Sequence, residues 1–553
     1  MDMTDRPGPY GPNRRGLLAS AGALLAGGAA SGLPGAAGSA GSAGGAAPAQ
    51  APGRGAAVIR RGDPRYASLL RGDNFRFAGD PDEIRVAATT EDVVRAVTEA
   101  LRSGRRIAPR SGGHCFEDFT ADPGVRLLLD LSPMDAVGYD PERRAFAVRP
   151  GATLGRVYRA LFTGWGVTVP AGACPEVGAG GHFAGGGYGP LSRRYGSVVD
   201  HLHGVEVVVA DRADRARTVV ATREPDDPHR DLWWAHTGGG GGNFGVVTRY
   251  WLRSPDATGD DPSRLLPPSP RELKGYQAVW AWDERMTARA FTTLLRNFGT
   301  WHERHSEPGS PYAGLYAILS VARRGGGPIT MFVQADATVP DLDRMVAELV
   351  SAVGAGTGVE PAVDHRTVPW LHALTWPGAG AAGDMFSRRY KLKAAYLRRS
   401  YTDAQLATAY SWLTDGSAVS HGGLLFVGYG GQVNAVAPGA TATAQRDAVM
   451  KVVYQTVWTD EREDAANLAW VRGFYRAMYA DTGGVPVPGE VSDGSYINYP
   501  DADLADPAWN RSGVPWHTLY YKDDYPRLQA VKARWDPYGL FRHTLSVEPR
   551  PAP

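Results

Sequence analysis

The sequence predicts a two-domain α+β protein, and three observations support this fold class. The chain has 553 residues, which is more than a single hydrophobic core usually serves. Patterns typical of strands and of helices occur together along most of the chain, beginning with a β-α-β unit. A segment rich in Pro, Asp and Ser at residues 255–270 then separates two regions of different composition.

The β-α-β unit lies near the start of the predicted fold. Residues 84–86 predict a short strand, and Thr90 is expected to cap a helix whose apolar residues recur on one face. Gly104 is expected to end this helix before a second strand at residues 106–108, which leads into a glycine-rich turn. Apolar patterns predict further strands at residues 125–131, 145–148, 205–209, 218–221 and 245–251.

The region beyond the linker has its own pattern. Residues 288–295 and 341–350 have the periodicity of amphipathic helices, and residues 424–433 predict a strand with a glycine-rich break. The last seventy or so residues are again dense in aromatic residues and glycine. The predicted division is a first domain at residues 55–256, a second at residues 257–480 and a C-terminal segment at residues 481–553.

Residues 1–54 are expected to be an export signal followed by a disordered tail. Arg14-Arg15 precedes an apolar stretch rich in Ala, Gly and Leu, and no acidic residue occurs between Asp5 and Asp63. This is the pattern of a bacterial twin-arginine signal, although a Gly/Ala tail with a chance arginine pair is the alternative. Glycine interrupts the stretch too often for a membrane span. We expect secretion, or a place on the outer side of the cell envelope, after removal of the signal.

Composition narrows the possible partners. The formal net charge is +1, so nothing indicates a nucleic-acid or acidic-membrane partner. Hydrophobic residues make up 43% and charged residues 21%, which is ordinary for a soluble protein. The 15 Trp and 24 Tyr are enough to line a cleft for a bulky small molecule. We expect no metal site, no membrane anchor, and a monomer or a weak homo-oligomer.

Two glycine-rich clusters carry residues with possible chemistry. Residues 110–114 read Arg-Ser-Gly-Gly-His, and adjacent glycines after a strand let backbone N–H groups approach a pyrophosphate. Cys174 follows His114 by sixty residues and lies in a second run, residues 172–190, with eight glycines. The plainer alternatives are a surface-turn histidine and a flexible loop.

Two further clusters complete the pattern. Residues 231–245 include five consecutive glycines, but no glycine run fits the Gly-x-Gly-x-x-Gly dinucleotide fingerprint, so a doubly wound fold of that type is rejected. Residues 496–501 read Tyr-Ile-Asn-Tyr-Pro-Asp, and an aromatic run at residues 516–521 follows.

In this order the four clusters resemble the berberine bridge enzyme-like FAD-linked oxidases of the vanillyl-alcohol oxidase superfamily. The resemblance extends from about residue 63 to 547, and residues 514–527 are similar to bacterial antibiotic-tailoring members. It implies a two-part FAD-binding domain, split in sequence, and a substrate domain with an antiparallel sheet backed by helices.

The resemblance also implies FAD attached covalently at two positions. His114 would join the flavin 8-methyl carbon and Cys174 would join C6. The other residues expected to contact the cofactor are Arg110, Ser111, Gly112, Gly113, Val177, Gly178, Gly181, His182, Gly186, Gly187, Tyr188, Val207, Asn498 and Tyr499.

Cys115 complicates this assignment because it adjoins His114. Neighbouring side chains on an extended segment point to opposite sides, so we expect His114 to face the flavin and Cys115 to be packed and inert. A Cys115–Cys174 disulfide is the alternative in an exported protein.

The resemblance places Tyr496 over the flavin as the catalytic base. A free phenol has a pKa of about 10, so it needs a neighbour that polarises it. Tyr188 and Tyr429 are the candidates for that role, and either could instead be a core aromatic. Asp501 and Arg527 are expected to be structural.

The reaction implied is oxidation of a secondary alcohol or sugar hydroxyl by FAD, with dioxygen reduced to hydrogen peroxide. Three hypotheses remain open: an oxidase that tailors a bulky secondary metabolite, a carbohydrate oxidase that acts on free oligosaccharides or hexoses, and a flavin-binding protein without turnover. The presence of Tyr496 with both attachment residues argues against the third.

Overall fold

The structure is a computed structural model that describes residues 56–373, 388–417, 419 and 421–550. The export signal and tail predicted for residues 1–54 lie outside the described residues. Among the residues described, no helix has the length and apolar character needed to cross a membrane.

A four-stranded sheet contains the predicted β-α-β unit. Strand β4 lies between β2 and β3 and pairs with both in parallel, while β1 pairs antiparallel with β2. The first helices of the chain are α1, Tyr66–Leu69, and α2, Thr90–Ser103. The strands are β1, Ala57–Arg60; β2, Glu83–Val86; β3, Ile107–Arg110; and β4, Leu127–Asp130.

Helix α2 begins one residue away from its predicted cap. Its N-cap is Thr89, whose hydroxyl accepts from the backbone N–H of Asp92 while the Asp92 carboxylate accepts from the Thr89 N–H. The prediction that Thr90 caps the helix was wrong, because the acidic residue three positions after Thr89 completes a capping box there. Gly104 ends the helix at φ 63°, as predicted.

A five-stranded antiparallel sheet packs beside this unit, with strand order β5-β6-β9-β7-β8. Its strands are β5, Val137–Asp140; β6, Ala145–Val148; β7, Leu202–Val209; β8, Arg217–Thr222; and β9, Val246–Leu252. The accompanying helices are α3, Leu154–Trp165; α4, Ala179–Ala184; α5, Ser192–Tyr195; and α6, Arg230–Ala235.

A seven-stranded antiparallel sheet follows the linker, in the order β13-β10-β12-β11-β15-β16-β14. Its strands are β10, Glu272–Trp280; β11, Tyr316–Ala322; β12, Ile329–Asp336; β13, Ala362–Pro369; β14, Arg389–Leu397; β15, Gly422–Gly428; and β16, Met450–Trp458. Helices in this part are α7, Ala288–Arg304; α8, Leu342–Gly354; α9, Trp370–Ala373; α10, Asp403–Leu413; and α11, Asp464–Met478.

Alternation along β16 separates the two faces of this sheet. Val452 and Tyr454 pack into the core formed with the helices, whereas Lys451, Val453 and Gln455 line a cavity on the opposite face. The predicted antiparallel sheet backed by helices is therefore confirmed, and so is the α+β fold class.

The C-terminal segment returns to the first part of the chain through α12, Trp516–Tyr521, and α13, Tyr525–Trp535. The Trp535 indole donates to the Asp231 carboxylate of α6 at 3.2 Å. The change of sheet falls between β9 and β10, but the domain boundaries themselves stay predictions.

Candidate active site

A cavity of about 410 Å³ is the candidate active site. It lies where the glycine-rich turns, the free face of the seven-stranded sheet and the segment at residues 496–500 meet. Three parts of the chain that are distant in sequence therefore build one site.

The glycine turns meet backbone against backbone. A Cβ on Gly112 would lie 2.5 Å from the Gly178 nitrogen, and a Cβ on Gly178 would lie 2.1 Å from the Ser111 hydroxyl. Such distances leave no room for a side chain. The result is a cradle walled by peptide groups, which fits the pyrophosphate of a dinucleotide such as FAD.

Arg110 opens the first turn but does not present a free charge to the cavity. Its guanidinium pairs with the buried Asp130 carboxylate at 2.6 Å and donates to the Leu69 carbonyl at 2.6 Å. Arg110 therefore holds the turn against the four-stranded sheet.

His114 borders the cavity with its Nδ1 3.8 Å from the Asp73 carboxylate. Burial lowers the pKa of His114 to about 4, so its imidazole is neutral near pH 7 and keeps a nucleophilic lone pair. Burial likewise raises the pKa of Asp73 to about 6, while the Tyr390 hydroxyl donates to the Asp73 carboxylate at 2.8 Å.

The two cysteines are both thiols, so the disulfide alternative is wrong. Cys115 and Cys174 each line the cavity together with His114. Which of His114 and Cys115 faces the flavin stays a prediction. Burial raises the pKa of Cys115 to about 12, which keeps this thiol protonated and unreactive.

A cluster of buried tyrosines forms the end of the cavity nearest the sheet. Asn498 donates one amide hydrogen to the Tyr496 hydroxyl at 3.0 Å and the other to the His182 carbonyl at 2.8 Å. The rings of Tyr188 and Tyr429 lie 4.8 Å apart. Burial raises the pKa of Tyr496 and of Tyr188 above the ordinary phenol value.

Lys451 stands among these tyrosines, and the sequence analysis missed it. Its Nζ lies 3.8 Å from the centre of the Tyr188 ring and 4.6 Å from that of Tyr496. Burial lowers the pKa of Lys451 well below its ordinary value, and the ring faces attract the cation. A lysine within the otherwise apolar stretch Met450–Val453 was the available signal.

Most residues predicted for cofactor binding meet at this cavity. Four predicted positions lie behind its wall: Tyr429 contacts the tilted ring of Tyr188, Val207 packs against Gly245, Gly186 lies against the ring of Tyr496, and Gly187 lies against Val198. The predicted residues that line the cavity are Arg110, Ser111, Gly112, Gly113, His114, Cys174, Val177, Gly178, Gly181, His182, Tyr188, Tyr496, Asn498 and Tyr499.

Comparison with known proteins identifies this architecture. The family described as FAD binding domain matches residues 81–212, and the family described as berberine and berberine like matches residues 495–548. Aclacinomycin-N/aclacinomycin-A oxidase of Streptomyces galilaeus is 52% identical over 542 residues, which cover 97% of this chain and 98% of that protein. The chain belongs to the berberine bridge enzyme-like FAD-linked oxidases.

Solved structures of this family superpose closely on the chain. The crystal structure of aclacinomycin oxidoreductase has 53% sequence identity and a TM-score of 0.87, and the match covers 90% of this chain and 100% of that one. A glycopeptide hexose oxidase complexed with teicoplanin has 49% identity and a TM-score of 0.86 with the same coverage. The protein is therefore an FAD-dependent oxidoreductase with a vanillyl-alcohol oxidase-type fold.

The glycine cradle generates a test of cofactor binding. In Gly112→Ala the new methyl group would collide with the Gly178 nitrogen, so we expect a loss of about 1–3 kcal/mol in stability and a lower flavin content. The ratio of flavin absorbance to protein absorbance, together with thermal unfolding, measures both effects.

Gly164→Ala is the matched control. This glycine lies in helix α3 with no atom within 4 Å of a Cβ, so alanine there should keep the flavin and stabilise the helix by about 0.5–1 kcal/mol. Equal flavin content in Gly112→Ala and wild type would contradict the cradle.

Proposed function

We propose that the protein oxidises a secondary alcohol or sugar hydroxyl of a bulky secondary metabolite, with dioxygen reduced to hydrogen peroxide. The proposal rests on the position of Tyr496. It lies at the same cavity as His114 and Cys174 and is bordered by Asn498 and Lys451. The aclacinomycin and glycopeptide oxidases named above support the kind of substrate.

Tyr496 is proposed as the base that takes the hydroxyl proton of the substrate. Burial opposes ionisation of its phenol, whereas the Asn498 amide donates to the hydroxyl and favours the phenolate. The Lys451 Nζ lies 4.6 Å from the centre of the Tyr496 ring, so a phenolate there would raise the pKa of Lys451, which burial lowers. FAD, when bound, would accept the hydride and pass its electrons to dioxygen.

The wall opposite the glycine turns favours the metabolite over a free carbohydrate. Five aliphatic side chains of the sheet line it beside the polar Lys451 and Gln455, and a carbohydrate hydroxyl placed against the aliphatic side chains would have no hydrogen-bond partner. An apolar ring system that carries the reacting hydroxyl suits this wall better. A carbohydrate oxidase remains the second candidate. The five side chains are Ile318, Leu392, Leu425, Val427 and Val453.

The oxidase reaction is tested with aclacinomycin N and aclacinomycin A as probe substrates and peroxide formation as the readout. We expect wild type to form peroxide with at least one probe, and Tyr496→Phe to reduce the flavin about 10²–10⁴-fold more slowly with little change in affinity. Stopped-flow flavin reduction measures this step before reoxidation.

Tyr538→Phe is the control, because this tyrosine is 55% exposed and does not line the cavity. A Tyr496→Phe enzyme reduced at the wild-type rate would remove Tyr496 from the mechanism. Turnover of free hexoses or oligosaccharides, with none of either aclacinomycin, would favour the carbohydrate oxidase.

We also propose that FAD is attached at both His114 and Cys174. The neutral imidazole and the thiol border one cavity, and the family resemblance assigns these two positions to attachment. After acid denaturation, flavin fluorescence should stay with the protein band in wild type, His114→Ala and Cys174→Ala, and should be absent from the double variant. Cys115→Ala is the control and should keep both links. Flavin released from denatured wild type would contradict the proposal.

Export through the twin-arginine route is a further proposal, supported by Arg14-Arg15 and the acid-free tract after them. Replacing both arginines by lysine should trap active, flavin-loaded enzyme in the cytoplasm. The measurement is enzyme activity in the culture medium and in cell fractions. Unchanged secretion of the lysine variant would contradict the route.

A further inference from the structure

Arg193 is a buried arginine whose charge no carboxylate balances within the part of the chain that the structure describes. Only 2% of the residue is exposed, and none of the described ion pairs includes it. The next residue, Arg194, is different: its guanidinium is partly exposed and pairs with Asp336 at 3.1 Å. The two adjacent arginines thus have opposite environments.

The guanidinium of Arg193 binds neutral oxygens from another part of the chain. It donates to the Ser306 hydroxyl at 2.9 Å, to the His305 carbonyl at 2.6 Å and to the Tyr429 carbonyl. Ser306 and His305 follow helix α7, and Tyr429 follows strand β15. One side chain of α5 therefore fastens two segments of the region that carries the seven-stranded sheet.

The turn that carries Tyr429 fits closely against α5. A Cβ on Gly431 would lie 2.3 Å from the Arg193 carbonyl oxygen, and Gly431 has φ +61°. The Gly431 N–H donates to the Ser306 carbonyl at 2.8 Å. Backbone and side chain of Arg193 thus both contact this turn.

The same turn also binds Tyr188. The Tyr188 hydroxyl donates to the Gly428 carbonyl, and the next carbonyl, that of Tyr429, accepts from Arg193. The Tyr188 phenol and the Arg193 guanidinium therefore donate to the carbonyls of two consecutive residues. Burial raises the pKa of Tyr188, and the positive charge of Arg193 opposes that rise.

Fold stability alone does not account for a cation at this position. A buried charge without a counter-ion is costly, and apolar side chains of similar volume often replace buried ion pairs at no loss. Buried, uncompensated charges occur preferentially at functional sites. Two of the three residues that the Arg193 guanidinium contacts involve the turn that also binds Tyr188: Tyr429 lies in it, and the Ser306 carbonyl accepts from Gly431.

We propose that Arg193 is a positioning residue that fixes the Tyr188–Tyr429 pair at the substrate side of the cavity. This inference rests on the proposed function, because it assigns the pair a part in substrate oxidation. Arg193 itself does not line the cavity. It acts by holding the turn after β15.

The first test needs no substrate. Hydrogen–deuterium exchange of the holoenzyme follows the backbone amides of residues 428–433 in wild type, Arg193→Lys, Arg193→Met and Arg194→Met. Lysine keeps the positive charge but lacks the planar guanidinium that binds three oxygens. The backbone amides of this turn should therefore exchange faster in both Arg193 variants than in wild type. Arg194→Met should match wild type there. Unchanged exchange in Arg193→Lys would overturn the proposal, even if Arg193→Met fails to fold.

The second test is a double-mutant cycle of Arg193→Lys with Tyr188→Phe, read as the rate of flavin reduction by aclacinomycin A. If Arg193 acts through the tyrosine pair, Arg193→Lys should slow flavin reduction about tenfold when Tyr188 is present. The same substitution should slow it much less in the Tyr188→Phe background. The dissociation constant of the substrate should change less than the rate. Equal losses in both backgrounds would indicate a general structural role and overturn the proposal.

The two tests separate this inference from the proposed function. If wild type is reduced by neither aclacinomycin, the proposed substrate class fails. The exchange measurement still decides whether Arg193 holds the turn: faster exchange confined to residues 428–433 supports the proposal, and unchanged exchange overturns it.

Discussion

A buried cluster of charges joins the three parts of the chain on which the site depends. Lys391 and Lys393 on β14 bind the carboxylates of Glu117, Asp501 and Asp503, and Arg472 of α11 pairs with Asp503 at 2.7 Å. Glu117 comes three residues after His114, and Asp501 comes two residues after Tyr499. The loop that would attach the flavin and the segment that carries the proposed base are therefore both bound to Lys391.

Such a cluster fixes the relative position of the segments it joins more than it adds to the stability of the fold. Burial lowers the pKa of Lys391, but Asp501 and Glu117 outweigh that effect and raise it above the ordinary value. The three cations and three carboxylates balance in formal charge. Removal of one partner from a buried pair typically costs about 3–5 kcal/mol, whereas the intact pair contributes little net stability. The cluster thus penalises any arrangement in which the three parts are displaced from one another.

The electrostatics of the site differ from those of this charge-balanced cluster. Around the cavity, burial leaves His114 neutral and Cys115 protonated, and it opposes the phenolate of Tyr496. Arg193 brings positive charge near the tyrosines without a carboxylate partner among the described ion pairs, whereas burial lowers the pKa of Lys451 and so disfavours its charged form. Balanced charges fix the scaffold, and the two basic side chains beside the tyrosines have no carboxylate partner among the described ion pairs. In a medium of low dielectric constant, these charges act strongly on any proton that moves there.

The sequence by itself determined the features that depend on local backbone chemistry. The glycine turns and the motif that begins at Tyr496 each lie within a short stretch, so the sequence was enough to carry the family resemblance that implies the fold and the cofactor. Even the one-residue error at the cap of α2 was local. Tertiary structure alone decided the roles of Lys451, Arg193 and the aliphatic wall. These residues come from strands and helices far apart in sequence, and a charge or methyl group acquires its function only from the neighbours that folding brings against it.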